Sequence, residues 1–131
     1  MNIVTRAAAL VGTTAAIALP VTLLNAPAAN ADVDRQGSCG GAQFDFSVDR
    51  DDDRRNSYEI SFDLDRAADV KYRVVLKQNG NTYYNAARTP DREGDIEVER
   101  NRANTSGADT FLFKYRNTVT DKVCSRTITV R

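Results

Sequence analysis

Apolar and polar residues alternate with a period of two along most of the chain beyond residue 40. In residues 58–64, for example, Tyr, Ile, Phe and Leu alternate with Glu, Ser and Asp. Successive side chains of a β-strand point to opposite faces of a sheet, whereas a helix repeats its apolar positions at spacings of three and four. The pattern predicts seven strands, within residues 44–48, 58–64, 70–76, 81–88, 96–99, 111–115 and 124–130.

Turn-forming residues separate these segments. Asn79-Gly80 lies between the third and fourth, and this pair is typical of a two-residue hairpin because both residues tolerate positive φ. Strands with one apolar face need a second layer to cover that face. The sequence therefore predicts an all-β fold, a seven-stranded antiparallel sandwich of the immunoglobulin-like or fibronectin-III-like type. A small closed β-barrel is the alternative.

The first 31 residues have the three parts of a secretory signal. Arg6 precedes an acid-free apolar stretch over residues 7–24, and small residues at Ala29 and Ala31 form a cleavage site. We therefore expect cleavage after Ala31 and a secreted, extracellular product that is a single domain of residues 32–131. No second apolar stretch follows, so no membrane anchoring is expected after cleavage.

Two cysteines, Cys39 and Cys124, lie near the two ends of the predicted domain. In an exported protein two thiols of one small domain usually pair. A catalytic thiol would need a base, and the sequence has no histidine to supply one. We therefore expect a structural disulfide that joins the first segment of the domain to the last.

Charge and composition narrow the classes of function. The 131 residues include 18 basic and 18 acidic side chains, with no histidine and no tryptophan. A net charge near zero argues against a protein that binds polyanions, nucleic acids included, because nucleic-acid affinity depends on a basic surface that releases counterions. The lack of histidine excludes Ser-His and Cys-His catalysis and His-ligated metals. The expectation is a protein that is not an enzyme and needs no cofactor.

A run of acidic residues is the most conspicuous candidate for metal binding. Asp49, Asp51 and Asp53 copy the opening spacing of a calcium loop, but Arg54 stands at the glycine position and Ile60 at the bidentate glutamate position. The sequence favours a solvated charged turn over residues 49–56, with weak calcium binding by the three aspartates as the alternative.

A tyrosine pair next to the predicted hairpin is a candidate contact surface. Tyr83 and Tyr84 are adjacent, so one of them points outward in a regular strand. Tyrosine and arginine are enriched at the centres of interfaces, and Arg73 and Arg88 are the expected companions. The alternative is that one ring packs in the core while the other covers a strand edge.

Several sequence pieces together resemble small, single-domain secreted proteins that are common in high-GC Gram-positive bacteria. The resemblance covers nearly all of the predicted domain and implies a secreted immunoglobulin-like sandwich with one disulfide and no assigned activity. The pieces are the Ala29-Asn30-Ala31 end of the signal, Ser38-Cys39-Gly40-Gly41, Val70-x-Tyr72-Arg73-Val74, Gln78-Asn79-Gly80, residues 89–94, Gly107-Ala108-Asp109-Thr110-Phe111 and residues 117–124.

Two functions fit these expectations. The first is a secreted, non-catalytic module that binds an envelope polymer or a protein through its surface. The alternative is an inhibitor of an extracellular hydrolase, for which the loops at residues 89–94 and 101–107 are the candidates.

Overall fold

The computed structural model describes residues 32–131, which form eight β-strands and no helix. The predicted signal segment, residues 1–31, lies outside the described residues. None of residues 32–131 forms a helix with the length and apolar character needed to cross a membrane. The strands are β1 (Val33–Cys39), β2 (Ala42–Arg50), β3 (Ser57–Asp65), β4 (Tyr72–Gln78), β5 (Asn81–Arg88), β6 (Ile96–Ala103), β7 (Asp109–Asn117) and β8 (Val123–Val130).

The strands form two antiparallel four-stranded sheets. Sheet I has the order β1-β2-β3-β6, and sheet II has the order β5-β4-β7-β8. The buried apolar side chains of both sheets form one cluster, so the sheets pack face to face. The predicted all-β sandwich is therefore confirmed, and the closed-barrel alternative is wrong because the two sheets remain separate.

The core is organised around Phe113 on β7. Its ring centroid lies 4.9 Å from that of Phe44, 5.1 Å from that of Phe46 and 5.0 Å from that of Phe62, all three on sheet I. These four side chains are buried. Aromatic contacts across the sandwich thus fix which face of each strand points inward, and the period-two assignment from the sequence is confirmed.

The structure contains one strand more than the seven predicted, because β1 pairs with β2 along its whole length. A two-residue turn at Gly40-Gly41 joins them, and both glycines have positive φ, 63° and 83°. Arg35 and Gly37 occupy the side of β1 that shares a face with the core residues of β2. Apolar residues therefore hardly alternate with polar ones in β1. For this reason the sequence pattern did not predict the strand.

The predicted disulfide is confirmed. Cys39 ends β1 and Cys124 lies on β8, so the bridge ties together the edge strands of the two sheets. The Tyr115 hydroxyl donates a hydrogen bond of 2.8 Å to the Cys39 carbonyl oxygen and supports the same edge. The bridge therefore closes one side of the sandwich.

Removing the disulfide should strongly destabilise the domain. The bridge spans a sequence separation of 85 residues, and the chain-entropy model assigns a loop of that size about 4 to 5 kcal/mol of stabilisation. We expect Cys39→Ala/Cys124→Ala to lower the free energy of unfolding by up to that amount, measured by urea denaturation. A loss below about 1 kcal/mol would contradict this role for the bridge.

Candidate functional site

The outward residues of sheet I form rows across the strands, and these rows are acidic. Gln36, Asp45, Asp63 and Glu97 are direct register partners from β1 to β6. Neighbours across a sheet have Cβ atoms about 5 Å apart, and like charges placed opposite each other repel. The row therefore places three carboxylates side by side without a cation between them.

The other rows repeat this pattern and define what we call the acidic face. At the outward register positions of β1, β2, β3 and β6 there is no lysine or arginine. Uncharged serine, glutamine, asparagine and alanine fill the positions that carry no acid. The carboxylates of the acidic face are Asp34, Asp45, Asp49, Glu59, Asp63, Asp65, Glu97 and Glu99.

Crowding on the acidic face changes the titration of its carboxyl groups. Partial burial, together with repulsion from Glu97 and Asp45, raises the pKa of Asp63 to about 6. A hydrogen bond and repulsion from Glu99 raise the pKa of Glu59. The Asp63 carboxyl therefore exchanges its proton near pH 6, because burial and the like charges of its row both disfavour the ionised form.

The outward side of sheet II has the opposite charge, and we call it the basic face. Arg73, Lys77, Lys114 and Arg116 occupy its β4 and β7 positions, and Arg73 is the direct register partner of Arg116. The described outward positions of β4, β5, β7 and β8 carry no carboxylate. Asp121 lies in the turn after β7, at the rim of this face. Its carboxylate forms an ion pair with the Arg116 guanidinium at a distance of 3.2 Å.

A shallow cavity of about 270 Å³ lies on the basic face. Val75 is buried and Val123 is 48% exposed, so the cavity combines apolar surface with cations. This combination suits a ligand that has both anionic groups and apolar surface. Its lining residues are Arg73, Val75, Asn85, Lys114, Arg116 and Val123.

The turn between β7 and β8 holds a second exposed apolar side chain, Val119, which is 71% exposed. The Asn117 side-chain oxygen accepts hydrogen bonds from the backbone N–H groups of Val119 and Thr120, at 2.9 and 3.1 Å. Thr118 donates from its backbone and its hydroxyl to the Lys71 carbonyl oxygen. The turn is therefore fixed in the conformation that exposes Val119.

The structure divides the predicted tyrosine–arginine contact surface. Tyr83 and Tyr84 are both half-buried, because the register of β4 and β5 shifts at this point and leaves Tyr83 as an extra residue in a bulge. Arg88 donates a hydrogen bond of 3.0 Å to the Tyr84 hydroxyl. Arg73 lies apart from the tyrosines, on the basic face.

The two tyrosines close the edge of the sandwich opposite the disulfide. The guanidinium of Arg100 lies 4.8 Å from the Tyr84 ring centroid, and that of Arg102 lies 4.6 Å from the Tyr83 ring centroid. These contacts join β6 of sheet I to β5 of sheet II. Burial raises the pKa of Tyr83. The pair therefore has a packing role at this edge.

The three aspartates considered for calcium are not brought together as ligands. Asp51 accepts hydrogen bonds from the backbone N–H groups of Asp53 and Arg54, which is the bonding of a tight charged turn. Asp49 accepts a hydrogen bond from Ser47 instead. The geometry supports the solvated-turn interpretation of residues 49–56.

A cluster of three acidic residues lies in the loop between β5 and β6. Within the described residues, Asp91, Glu93 and Asp95 are the three acidic groups whose oxygens lie within 4.8 Å of one another. Asp91 accepts hydrogen bonds from the backbone N–H groups of Glu93 and Asp95. These bonds account for the loop conformation without an ion.

A buried polar network at the end of the sandwich is centred on Asp109, which has no exposed surface. Its carboxylate accepts hydrogen bonds from Gln78, Asn79 and both the hydroxyl and the backbone N–H of Thr105. Burial acts to raise the pKa of Asp109, but these hydrogen bonds outweigh it and lower the pKa. The network ties the β4–β5 turn to the β6–β7 loop, so its role is structural.

Comparison with family models, curated proteins and solved structures gives no match to this chain. The arrangement of its own residues is therefore the basis for assigning a function. The feature that distinguishes its surface is the placement of opposite charges on opposite faces.

The stability of the domain should rise as the pH falls from about 7 to about 5. Because the pKa of Asp63 is raised to about 6 in the fold, the folded chain binds a proton more readily than the unfolded chain, where the ordinary value is about 3.9. Stability is therefore lost as the pH rises through about 6. Thermal melts across this range should show the rise in the native chain and a smaller one in Asp63→Asn.

The matched control is Asp52→Asn, which removes the same charge from the exposed turn after β2. It should retain the native pH dependence. Stability that falls between pH 7 and 5, or an unchanged profile in Asp63→Asn, would contradict repulsion on the acidic face.

Asp109→Asn should destabilise the domain by about 2 to 3 kcal/mol, because the new amide places N–H donors against donors and removes the charge that strengthens the hydrogen bonds. Chemical denaturation at neutral pH measures this loss, with Asp52→Asn as the control that changes charge without breaking the network. A loss equal to that of the control would show that the network contributes nothing.

Proposed function

We propose that this protein is an exported, non-catalytic binding module of the immunoglobulin-like type that attaches to an anionic polymer of the cell envelope through its basic face. The observation that carries the proposal is the set of four cations at the outward positions of β4 and β7. Three of them, Arg73, Lys114 and Arg116, line a partly apolar cavity. No carboxylate at the outward strand positions of sheet II neutralises them.

The strand order supports the immunoglobulin-like assignment. When β1 is set aside, β2-β3-β6 faces β5-β4-β7-β8. The chain forms the antiparallel pair β2-β3 in sheet I and then crosses to sheet II for the hairpin β4-β5. It returns to sheet I for β6 and ends in sheet II with the hairpin β7-β8. This sequence of crossings is a Greek-key arrangement of seven strands, as in immunoglobulin-like and fibronectin-III-like domains. β1 is then an added edge strand.

Export is supported by the disulfide and by the residues that precede the domain. The Cys39–Cys124 bridge suits an oxidising compartment. Residues 1–31 have the order of charge, apolar stretch and small residues that a cleaved signal requires.

Binding, and not catalysis, fits the chemistry of the basic face. The cavity is shallow, and its lining residues include no carboxylate, hydroxyl or thiol. Arginine recognises phosphate and carboxylate through paired N–H groups, while lysine acts as a point charge. Arg73 and Lys114 are exposed to such groups, and Arg116 is also exposed but forms an ion pair with Asp121.

The near-zero net charge is compatible with an anionic partner, because charge is distributed unevenly. Exposed charges act over about 8 Å at physiological ionic strength. A polymer lying on sheet II therefore interacts mainly with the nearby cations, since the acidic face lies on the far side of both sheets. Net charge predicts the behaviour of the whole molecule at long range and says little about one face.

The test measures binding of the 32–131 domain to two soluble probes, long-chain polyphosphate and poly-L-glutamate. Binding is measured by calorimetry at about 50 mM and about 300 mM salt. Arg73→Glu/Lys114→Glu should weaken binding by at least about tenfold at the lower salt. The matched control is Arg55→Glu/Arg92→Glu, which makes the same change in net charge at exposed loop positions. Equal losses in the two variants, or no binding of either probe, would contradict the proposal.

A further inference from the structure

The acidic face and the basic face are both unpartnered in the described structure, and they are complementary to each other. We propose that the acidic face of one copy binds the basic face of a second copy, so that copies of this protein associate head to tail. The occupant of each face is then the opposite face of an identical chain.

The acidic face is unfavourable when it stands alone. Its rows place Asp45 beside Asp63 and Asp63 beside Glu97 without a lysine or arginine among them. A second copy would bring Arg73, Lys114 and Arg116 to this face, which converts repulsion within the face into attraction between copies. Glu97 and Glu99 are exposed on β6, where these cations could contact them.

The two faces are similar in size. Each face consists of four strands, and strand and residue spacings give an area of about 19 Å by 26 Å, or roughly 500 Å². Two such faces bury about 1,000 Å² in total, which is at the lower limit for a specific interface. The association is therefore weak, reversible and sensitive to salt.

The symmetry of the contact determines what it builds. The interface joins two different surfaces, so it is heterologous and leaves one acidic and one basic face free at the ends of every assembly. Open stacks that lengthen with concentration are expected, and a closed dimer is not. This inference goes beyond binding of an envelope polymer, although both use the basic face and a polymer would compete with a second copy.

The experiment is sedimentation of the 32–131 domain without polymer, at about 20 mM and about 300 mM salt, over a range of protein concentrations. The native domain should show a concentration-dependent increase in mass at the lower salt and remain a monomer at the higher salt. Glu97→Lys/Glu99→Lys and Arg73→Glu/Lys114→Glu should each be monomeric alone at both salt concentrations. A native domain that stays monomeric at the lower salt would overturn the inference.

Mixing the two variants tests the head-to-tail geometry. The first variant keeps its basic face and the second keeps its acidic face, so an equimolar mixture should associate at the lower salt concentration although neither variant does so alone. A mixture that remains monomeric would overturn the inference, as would association of either variant alone at the native level.

The same proteins separate this inference from the proposed function. Glu97→Lys/Glu99→Lys should lose self-association and still bind polyphosphate at least as tightly as the native domain. Failure of self-association with intact polyphosphate binding would overturn the stacking and leave polymer binding standing. Self-association of the native domain without binding of polyphosphate would overturn polymer binding and leave the stacking standing.

Discussion

The packing of aromatic rings from both sheets around Phe113 is the constraint on which the rest of the structure depends. Phe44, Phe46 and Phe62 of sheet I reach the ring of one residue on sheet II. Because strand side chains alternate in direction, committing these rings to the interior sends every intervening side chain outward. A shift of one residue in any strand would exchange its core residues for its charged ones. The core thus decides which charges meet on the two outer surfaces.

The separation of charge follows from this constraint and from the strand order. β3 and β6 carry their carboxylates into one sheet although residues 66–95 separate them in the chain, while β4 and β7 carry their cations into the other. Counting charges along the sequence conceals this separation, because acidic and basic strands alternate and the totals cancel. Two surfaces of opposite sign result, each with few counter-charges of its own. One is suited to anionic partners, and the two together are suited to each other.

Much of the fold could be predicted from the sequence, since six strands show their core residues at alternating positions. The Asn79-Gly80 pair, which indicated β5, forms the expected turn with positive φ at both residues. The disulfide followed from export. β1 could not be found by alternation, because Arg35 and Gly37 occupy its inward side. The arrangement of the tyrosine pair could not be predicted either, since a bulge in β5 turns both rings toward the sandwich edge, which no local pattern indicates. The charged faces escaped sequence reasoning for a different reason. Each acidic or basic strand was visible, but their assembly into two sheets depends on long-range pairing.

The most direct test of the central claim is a map of backbone amide chemical-shift changes in the 32–131 domain during titration with long-chain polyphosphate. Binding at the basic face predicts changes concentrated on the outward residues of β4 and β7, including Arg73, Lys114 and Arg116, and extending to Val123. Changes centred instead on the loops at residues 89–94 and 101–107, or on the acidic face, would contradict it.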